Sequence, residues 1–368
     1  MYTLTLETNT QCNLHCRYCY LGEKSFREMP PEVWRKAIDI ALHEAVKQYD
    51  KTLFICFLGG EPLLSTATME EIIKYVDRVN SNLQLKISYG LTTNGTLYND
   101  AIEKILRSRP FTIRLSLDGN QKVQNLNRID YNRKGSYNEV IQNLPYFKKI
   151  CSGQNEMLRV VQVITTNNVQ YYFDSFRHLI DDLGLMYLES GTNNEVEWND
   201  DDLKVLRTNL EMTIEYYASK IKDHKILSWN MYSQNLHHFL FPHRCFYGCM
   251  AGLAASFVNV DGNIYFCREC NELQIGSVFD GLDYRKIREI AYIKETKNMT
   301  CLDCEYLEYC YAKSCFTENY IKNNDLFTPP RNSCEVTKVF IEYFKKNFSI
   351  DDIEKMRNSM RNIIRESC

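Results

Sequence analysis

Through the first half of the chain, apolar β-rich runs alternate with amphipathic stretches, and that alternation leaves few folds open. The strand-like runs are Tyr2–Leu6, Leu53–Leu58, Leu85–Leu91, Phe111–Leu117, Arg159–Ile164 and Met186–Glu189. Helical periodicity marks Val33–Tyr49, Met69–Asn82, Ala101–Ser108, Val140–Cys151 and Tyr172–Leu183 between them. Strands that alternate with helices pair in parallel through right-handed crossovers. The six units predict an α/β fold, a partial (β/α)6 barrel short of the full eight. Chemistry in such barrels collects at the carboxyl ends of strands. Unusual residues follow the strands here: a cysteine loop, then Gly59-Gly60-Glu61-Pro62, Thr92-Thr93-Asn94-Gly95, Ser116-Leu117-Asp118-Gly119 and Thr165-Thr166-Asn167-Asn168.

The cysteine loop reads Gln11-Cys12-Asn13-Leu14-His15-Cys16-Arg17-Tyr18-Cys19-Tyr20. Cys12, Cys16 and Cys19 offer three thiolates, while a cubane iron–sulfur cluster has four irons to ligate. One iron is left for a small molecule to chelate. The chain has 15 cysteines among 368 residues. They cluster at short, ligand-like spacings, which favours metal or iron–sulfur binding over a disulfide framework. A net charge of -3 gives no basic field for nucleic acid. No apolar run approaches the roughly 20 residues of a membrane span. Met1 opens directly into a strand pattern with no secretory signal, so a cytoplasmic location is expected.

The spacing of Cys12, Cys16 and Cys19, with an aromatic after the second cysteine, resembles the radical S-adenosylmethionine (radical SAM) superfamily. The resemblance implies a [4Fe–4S] cluster on those three thiolates and S-adenosyl-L-methionine on the open iron. It implies further that a reduced cluster splits the sulfonium and that a 5′-deoxyadenosyl radical takes hydrogen from a substrate, with the protein supplying orientation and exclusion of water. Gly59, Gly60, Glu61 and Pro62 resemble the segment that binds the methionine amino group. Glycines let backbone approach a ligand closely, and the nearby carboxylate and carbonyls can hold an ammonium. Ser116 and Asp118 would contact the ribose or methionine part. Thr93 and Asn94 offer polar contacts, and Arg128 resembles the basic residue that meets the cofactor carboxylate. Turn capping for Asp118 and a solvated charge for Arg128 are the plainer readings.

After about Leu240 the cysteine density jumps and regular periodicity fades. Residues 1–235 are therefore read as the barrel. Residues 236–368 are read as a metal-stapled domain with little regular structure, closing on helical patterns at Thr337–Asn347 and Asp351–Ile364. Asp261-Gly262-Asn263 signals a hairpin turn between Cys249 and Cys267. Then come Cys301, Cys304, Cys310, Cys315 and Cys334. The order resembles the SPASM extension of radical SAM enzymes, which implies two auxiliary [4Fe–4S] clusters. By that resemblance Cys301, Cys304, Cys310 and Cys334 hold one. Cys249, Cys267 and Cys315 hold the other, with Cys245, Cys270 or substrate as fourth ligand; Cys245 is favoured. Four residues, Tyr311 to Ser314, separate Cys310 from Cys315 where the pattern has three. A zinc ribbon on Cys267, Cys270, Cys301 and Cys304 is the competing metal reading. Cys56 reads as core, and Cys151 and Cys368 as free surface or helix-end thiols.

Radical SAM–SPASM proteins resemble one another in modifying peptides or proteins. The expected substrate is thus a peptide or protein, and the expected reaction a cross-link such as a thioether in a ribosomally made peptide. Flavodoxin or ferredoxin is the expected reductant. With Met1 beginning the first strand, a precursor is expected to need a separate peptide-recognition protein or the barrel mouth itself. Anaerobic sulfatase maturation, which oxidises cysteine or serine to formylglycine, is the rival. That group carries an aspartate after the hairpin's second cysteine, where this chain has Arg268, which cannot act as a base. Glu269 follows it, and Glu189, Glu269 and Tyr265 are the weak candidates for a catalytic group. A non-catalytic iron–sulfur electron-transfer protein is the alternative of another class.

Overall fold

The computed structural model describes residues 1–22, 24–223, 227–268, 270 and 272–366. Strands β1 (Tyr2–Asn9), β2 (Thr52–Gly59), β3 (Lys86–Thr93), β4 (Phe111–Ser116) and β5 (Arg159–Ile164) alternate with helices. The helices are α1 (Pro31–Lys47), α2 (Thr66–Leu83), α3 (Asp100–Ser108), α4 (Gln121–Asn127) and α5 (Tyr137–Gly153). There follow α6 (Tyr172–Arg177), β6 (Tyr187–Thr192), α7 (Asp200–Asp223), β7 (Ser228–Trp229) and α8 (Asn230–Leu240). Four short strands come next: β8 (Ala255–Val258), β9 (Asn263–Tyr265), β10 (Gln274–Ser277) and β11 (Gly281–Leu282). Helices α9 (Tyr284–Ala291), α10 (Met299–Leu302), α11 (Phe316–Asn323), α12 (Arg331–Asn347) and α13 (Ile350–Glu366) complete the chain.

The chain divides into two compact units. The first comprises residues 1–162, 177–188 and 250–291. Its core is the expected α/β arrangement: β1, β2, β3, β4 and β5 lie side by side in that order, and each neighbouring pair is parallel. Helices α1, α2, α3 and α5 supply the crossovers. In α1 the buried residues Val33, Trp34, Ala37, Ile38, Ala41, Leu42 and Ala45 recur every three or four positions, one face of a helix. Pro31 opens it, where the missing N–H costs nothing. Across the sheet, Phe57, Tyr89 and Phe111 come from three adjacent strands and stack with centroids 6.2 and 5.7 Å apart. This aromatic row fixes the register of β2, β3 and β4.

The other edge of β1 is also covered. Strand β8 pairs parallel to β1, with Thr3 opposite Ala255 and Leu6 opposite Val258. Tyr2 Oη donates to Ser256 Oγ at 3.0 Å, and the Val260 N–H donates to Glu7. Strands β8, β9, β10 and β11 then form an antiparallel meander. Its first turn holds Gly262 at φ +86°, which a side chain would strain. So the hairpin expected from Asp261-Gly262-Asn263 is present, and it belongs to the same unit as the parallel sheet.

The second unit comprises residues 163–176, 189–249 and 292–368. Helix α12 packs on α7 and α8 around Phe176, Tyr217, Trp229, Tyr232, Phe340 and Phe344. Trp229 lies 4.9 Å from Phe176 and 5.4 Å from Phe340 between ring centroids. Arg207 on α7 donates to Glu335 at 2.6 Å and Glu342 at 2.7 Å on α12. No described helix is long and apolar enough to cross a membrane.

Candidate active site

The loop after β1 has almost no regular structure of its own and is held by its neighbours. Gly60 N–H donates to the Asn9 carbonyl at 3.0 Å, and Glu61 N–H to the Gln11 carbonyl at 2.7 Å. His15 N–H reaches the Ile129 carbonyl at 2.7 Å, and Arg17 N–H the Asn127 carbonyl at 2.9 Å. The approach of the β2 end to this loop is what requires two glycines. A Cβ on Gly59 would collide with the Asn9 carbonyl oxygen, and one on Gly60 with that of Gln11. Gly59 also sits at φ +145°.

On this loop the three thiols are partly buried. Cys12 Sγ accepts from the Leu14 N–H at 3.4 Å and from Asn94 Nδ2 at 3.8 Å. Lys24 Nζ donates to Cys19 Sγ. Burial pushes the Cys12 thiol up to about 12, with Glu61 adding to the rise. Burial likewise raises Cys16 to about 11 against the pull of Arg128. Thiols so placed stay protonated at neutral pH unless a metal cation stabilises the thiolate. Partly buried sulfurs, Cys12 and Cys19 with N–H donors already aimed at them, fit an iron–sulfur cluster.

Glu61 is fully buried, and its carboxyl is raised to about 7 by burial against three hydrogen bonds. Those bonds come from Asn94 N–H at 2.7 Å, Leu63 N–H at 3.1 Å and Thr93 Oγ1 at 2.8 Å. The carboxylate thus ties the end of β2 to the end of β3 and caps the turn opened by Pro62. Asn94 in turn donates to Asn13 Oδ1 at 2.9 Å, and Asn13 donates to Thr96 at 2.7 Å. Glu61, Thr93 and Asn94 therefore form one polar network under the cysteine loop.

Ser116 and Asp118 close β4, both buried. Asp118 and Arg128, each expected beside the cofactor, meet one another: Arg128 Nη2 donates to Asp118 Oδ1 at 3.1 Å, with both side chains buried. Tyr18 Oη also hydrogen-bonds Asp118, and the Arg128 guanidinium lies 5.2 Å from the Tyr18 ring centroid. Gln124 and Gln162 fix the Asp118 backbone, at 2.8 Å each. This pair was not legible as such, since its partners are two separate signals in the sequence. The only mark on Tyr18 was its place as the aromatic after Cys16. Asn13, Lys24, Gln124 and Gln162 carry no signal that a sequence pattern would single out.

Residues 6–162 match the Radical SAM superfamily. This stretch is a radical SAM domain. The chain is 25% identical to a cysteine-type anaerobic sulfatase-maturating enzyme of Clostridium novyi, over 93% of each chain. A solved structure of anSMEcpe with bound AdoMet and Kp18Cys peptide has the same fold, with a TM-score of 0.75, 20% identity and coverage of 97% and 99%. Streptococcus suis SuiB bound to its precursor peptide SuiA follows at a TM-score of 0.62, 18% identity and coverage of 90% and 75%. A radical SAM domain implies S-adenosylmethionine and a [4Fe–4S] cluster.

Beyond the radical SAM domain, Cys301, Cys304, Cys310 and Cys334 line one pocket of the second unit, with Lys313, Tyr306, Leu307 and Pro329. Burial raises Cys301 to about 11 and Cys334 to about 12; Cys304 and Cys310 add to both, and Cys301 adds to Cys334. Among the described residues, no three His, Cys, Asp or Glu side chains are placed to hold a single metal ion. No described cysteine is in a disulfide.

Of the remaining predicted positions, Cys245 and Cys249 are exposed and Cys315 half-buried in the second unit, while Cys267 and Cys270 belong to the first. Cys56 is buried on β2 and Cys151 on α5. Tyr265 packs with Leu58 and Phe257 in a buried cluster of the first unit. Glu189 is half-buried on β6. Glu269 and Cys368 lie outside the described residues. A polar cavity opens at the carboxyl end of β6, lined by Ser190, Thr192, Gln234, Asn235, Cys315 and Glu318.

Proposed function

We propose that the chain is a radical SAM oxidoreductase that matures a peptide or protein by abstracting hydrogen from one of its residues. The observation that carries the reading is the cysteine loop set against Gly59-Gly60-Glu61, beside the buried Asp118–Arg128 pair. When bound, S-adenosylmethionine and a reduced [4Fe–4S] cluster supply a 5′-deoxyadenosyl radical. Cys12, Cys16 and Cys19 would hold the cluster and leave one iron for the cofactor. The backbone of Gly59 and Gly60 lines the approach to it, and Glu61 keeps that backbone in place through its own network instead of by contact. Ser116, Asp118 and Arg128 would face the ribose and methionine groups.

The domain division proposed is a catalytic part in residues 1–235 and an auxiliary part in residues 236–368. In the auxiliary part Cys301, Cys304, Cys310 and Cys334 would hold one [4Fe–4S] cluster. Cys249, Cys267 and Cys315, with Cys245, would hold a second. A flavodoxin or ferredoxin would deliver the electron. The polar cavity beside Cys315 is the proposed resting place of the peptide, since amide and hydroxyl groups suit peptide backbone.

Cross-link formation, such as a thioether, is the favoured outcome because Arg268 stands where formylglycine formation needs a proton acceptor. Similarity to the Clostridium novyi enzyme over 93% of both chains supports formylglycine formation as the second reading. Anaerobic incubation with dithionite, S-adenosylmethionine and cysteine-containing peptides distinguishes them. A linked product that has lost two hydrogens supports the first, and a hydrazide-reactive aldehyde supports the second. Absence of 5′-deoxyadenosine from a fully reconstituted protein would instead indicate an electron-transfer protein.

A further inference from the structure

The segment between Cys310 and Cys315 is one residue longer than the SPASM pattern, and the chain uses it to bury a lysine. Residues Ala312–Ser314 form a 3-10 turn that carries Lys313 inward until none of it is exposed. Its Nζ donates to the carbonyls of His243 and Leu307 at 2.8 Å each, and of Cys310 at 3.0 Å. An ammonium has three donors, so backbone carbonyls take them all. They satisfy its hydrogen bonds and leave its charge. Burying such a charge is costly without an opposite one nearby. The pocket it lines is walled by Cys301, Cys304, Cys310 and Cys334.

We propose that Lys313 is a built-in counter-cation for an iron–sulfur cluster held by Cys301, Cys304, Cys310 and Cys334, and that its charge raises that cluster's reduction potential. The inference rests on the auxiliary-cluster reading above. Four thiolates make such a site anionic, and adding an electron makes it more so. A fixed positive charge in a low-dielectric surrounding stabilises the reduced state more than the oxidised one. Lys313 is a positioning residue in this account: it acts through the cluster's surroundings and touches no substrate.

The test uses the full chain with Cys12, Cys16 and Cys19 replaced by alanine, so that only auxiliary iron reports. Iron content and an EPR-monitored reductive titration are compared for this parent, Lys313→Met and Lys313→Gln. Both neutral variants are expected to titrate at a more negative potential. Glutamine keeps N–H donors without charge, so a potential equal to the parent's in Lys313→Gln would overturn the proposal. If the methionine variant assembles no cluster, glutamine decides alone. If neither assembles one, Lys313→Arg decides: retention there supports the charge, and loss there overturns it. A Cys301→Ser/Cys304→Ser variant identifies which signal belongs to this cluster. If that variant keeps the parent's iron, the cluster reading itself has failed. If its iron falls while the lysine variants titrate like the parent, only the counter-cation has failed.

Discussion

In the first unit, three thiols ride on a loop whose backbone is tied to the ends of β2 and β3. In the second, four thiols line a pocket whose backbone is tied to one buried lysine. The first set is a thiol short of a cluster's four irons, and the second is complete. Around the first lie Asn94 and Asp118 from strand ends, Lys24 from the loop itself and Arg128 from the end of α4. Around the second, the neighbours are Tyr306, Leu307, Pro329 and Thr337, with the lysines Lys313 and Lys338. An incomplete set suits chemistry on a bound small molecule, and a complete set suits electron storage or transfer.

That contrast can be broken in several places. The largest expected effect comes from the complete set. Cys301→Ser/Cys304→Ser should remove about four irons per chain, one cluster's worth, while uncoupled 5′-deoxyadenosine formation persists. Iron analysis and chromatography of the same sample check it; loss of both together would mean that the two sets are not independent. Next, Gly60→Ala should abolish that formation, because a Cβ has no room against the Gln11 carbonyl. The purified variant's product yield is the readout.

Effects on stability are smaller. Asp118→Asn leaves the buried Arg128 charge uncompensated, and should cost about 3–5 kcal/mol in denaturant unfolding. Phe57→Ala empties the aromatic row across β2, β3 and β4, and should cost about 3–5 kcal/mol by the same measurement. The smallest effect concerns Glu61. Its folded carboxyl is raised from 4.5 to about 7, so the folded state holds a proton that the unfolded state has released. Stability of the metal-free protein should therefore fall as pH rises between those two values, and level off above. Glu61→Gln should flatten that slope; an unchanged slope would place the titration elsewhere.

Much of the first unit was legible because its signals are local. Alternating periodicity gave the parallel strands, and each strand-end motif lies within a few residues of its strand. The β8 pairing with β1 was not legible, because Thr3 and Ala255 are far apart in sequence and nothing in a four-residue strand names its partner. Glu61 was placed at the right point, but its carboxylate is occupied by Thr93, Asn94 and Leu63, and only coordinates show that. Asp118 and Arg128 were each singled out without the salt bridge between them. Lys313 is not legible, because a lysine between cysteines reads as solvated and only the Ala312–Ser314 turn buries it. The four cysteines beside it were grouped by the resemblance to the SPASM pattern, and all four line one pocket.

The central claim is that Cys12, Cys16 and Cys19 form an incomplete iron site at which S-adenosylmethionine is split. The most direct measurement is the yield of 5′-deoxyadenosine, under dithionite, from the reconstituted protein and from its Cys12→Ala/Cys16→Ala/Cys19→Ala variant. The account predicts product from the first and none from the second, although the variant retains its other iron. Equal yields from the two would contradict it.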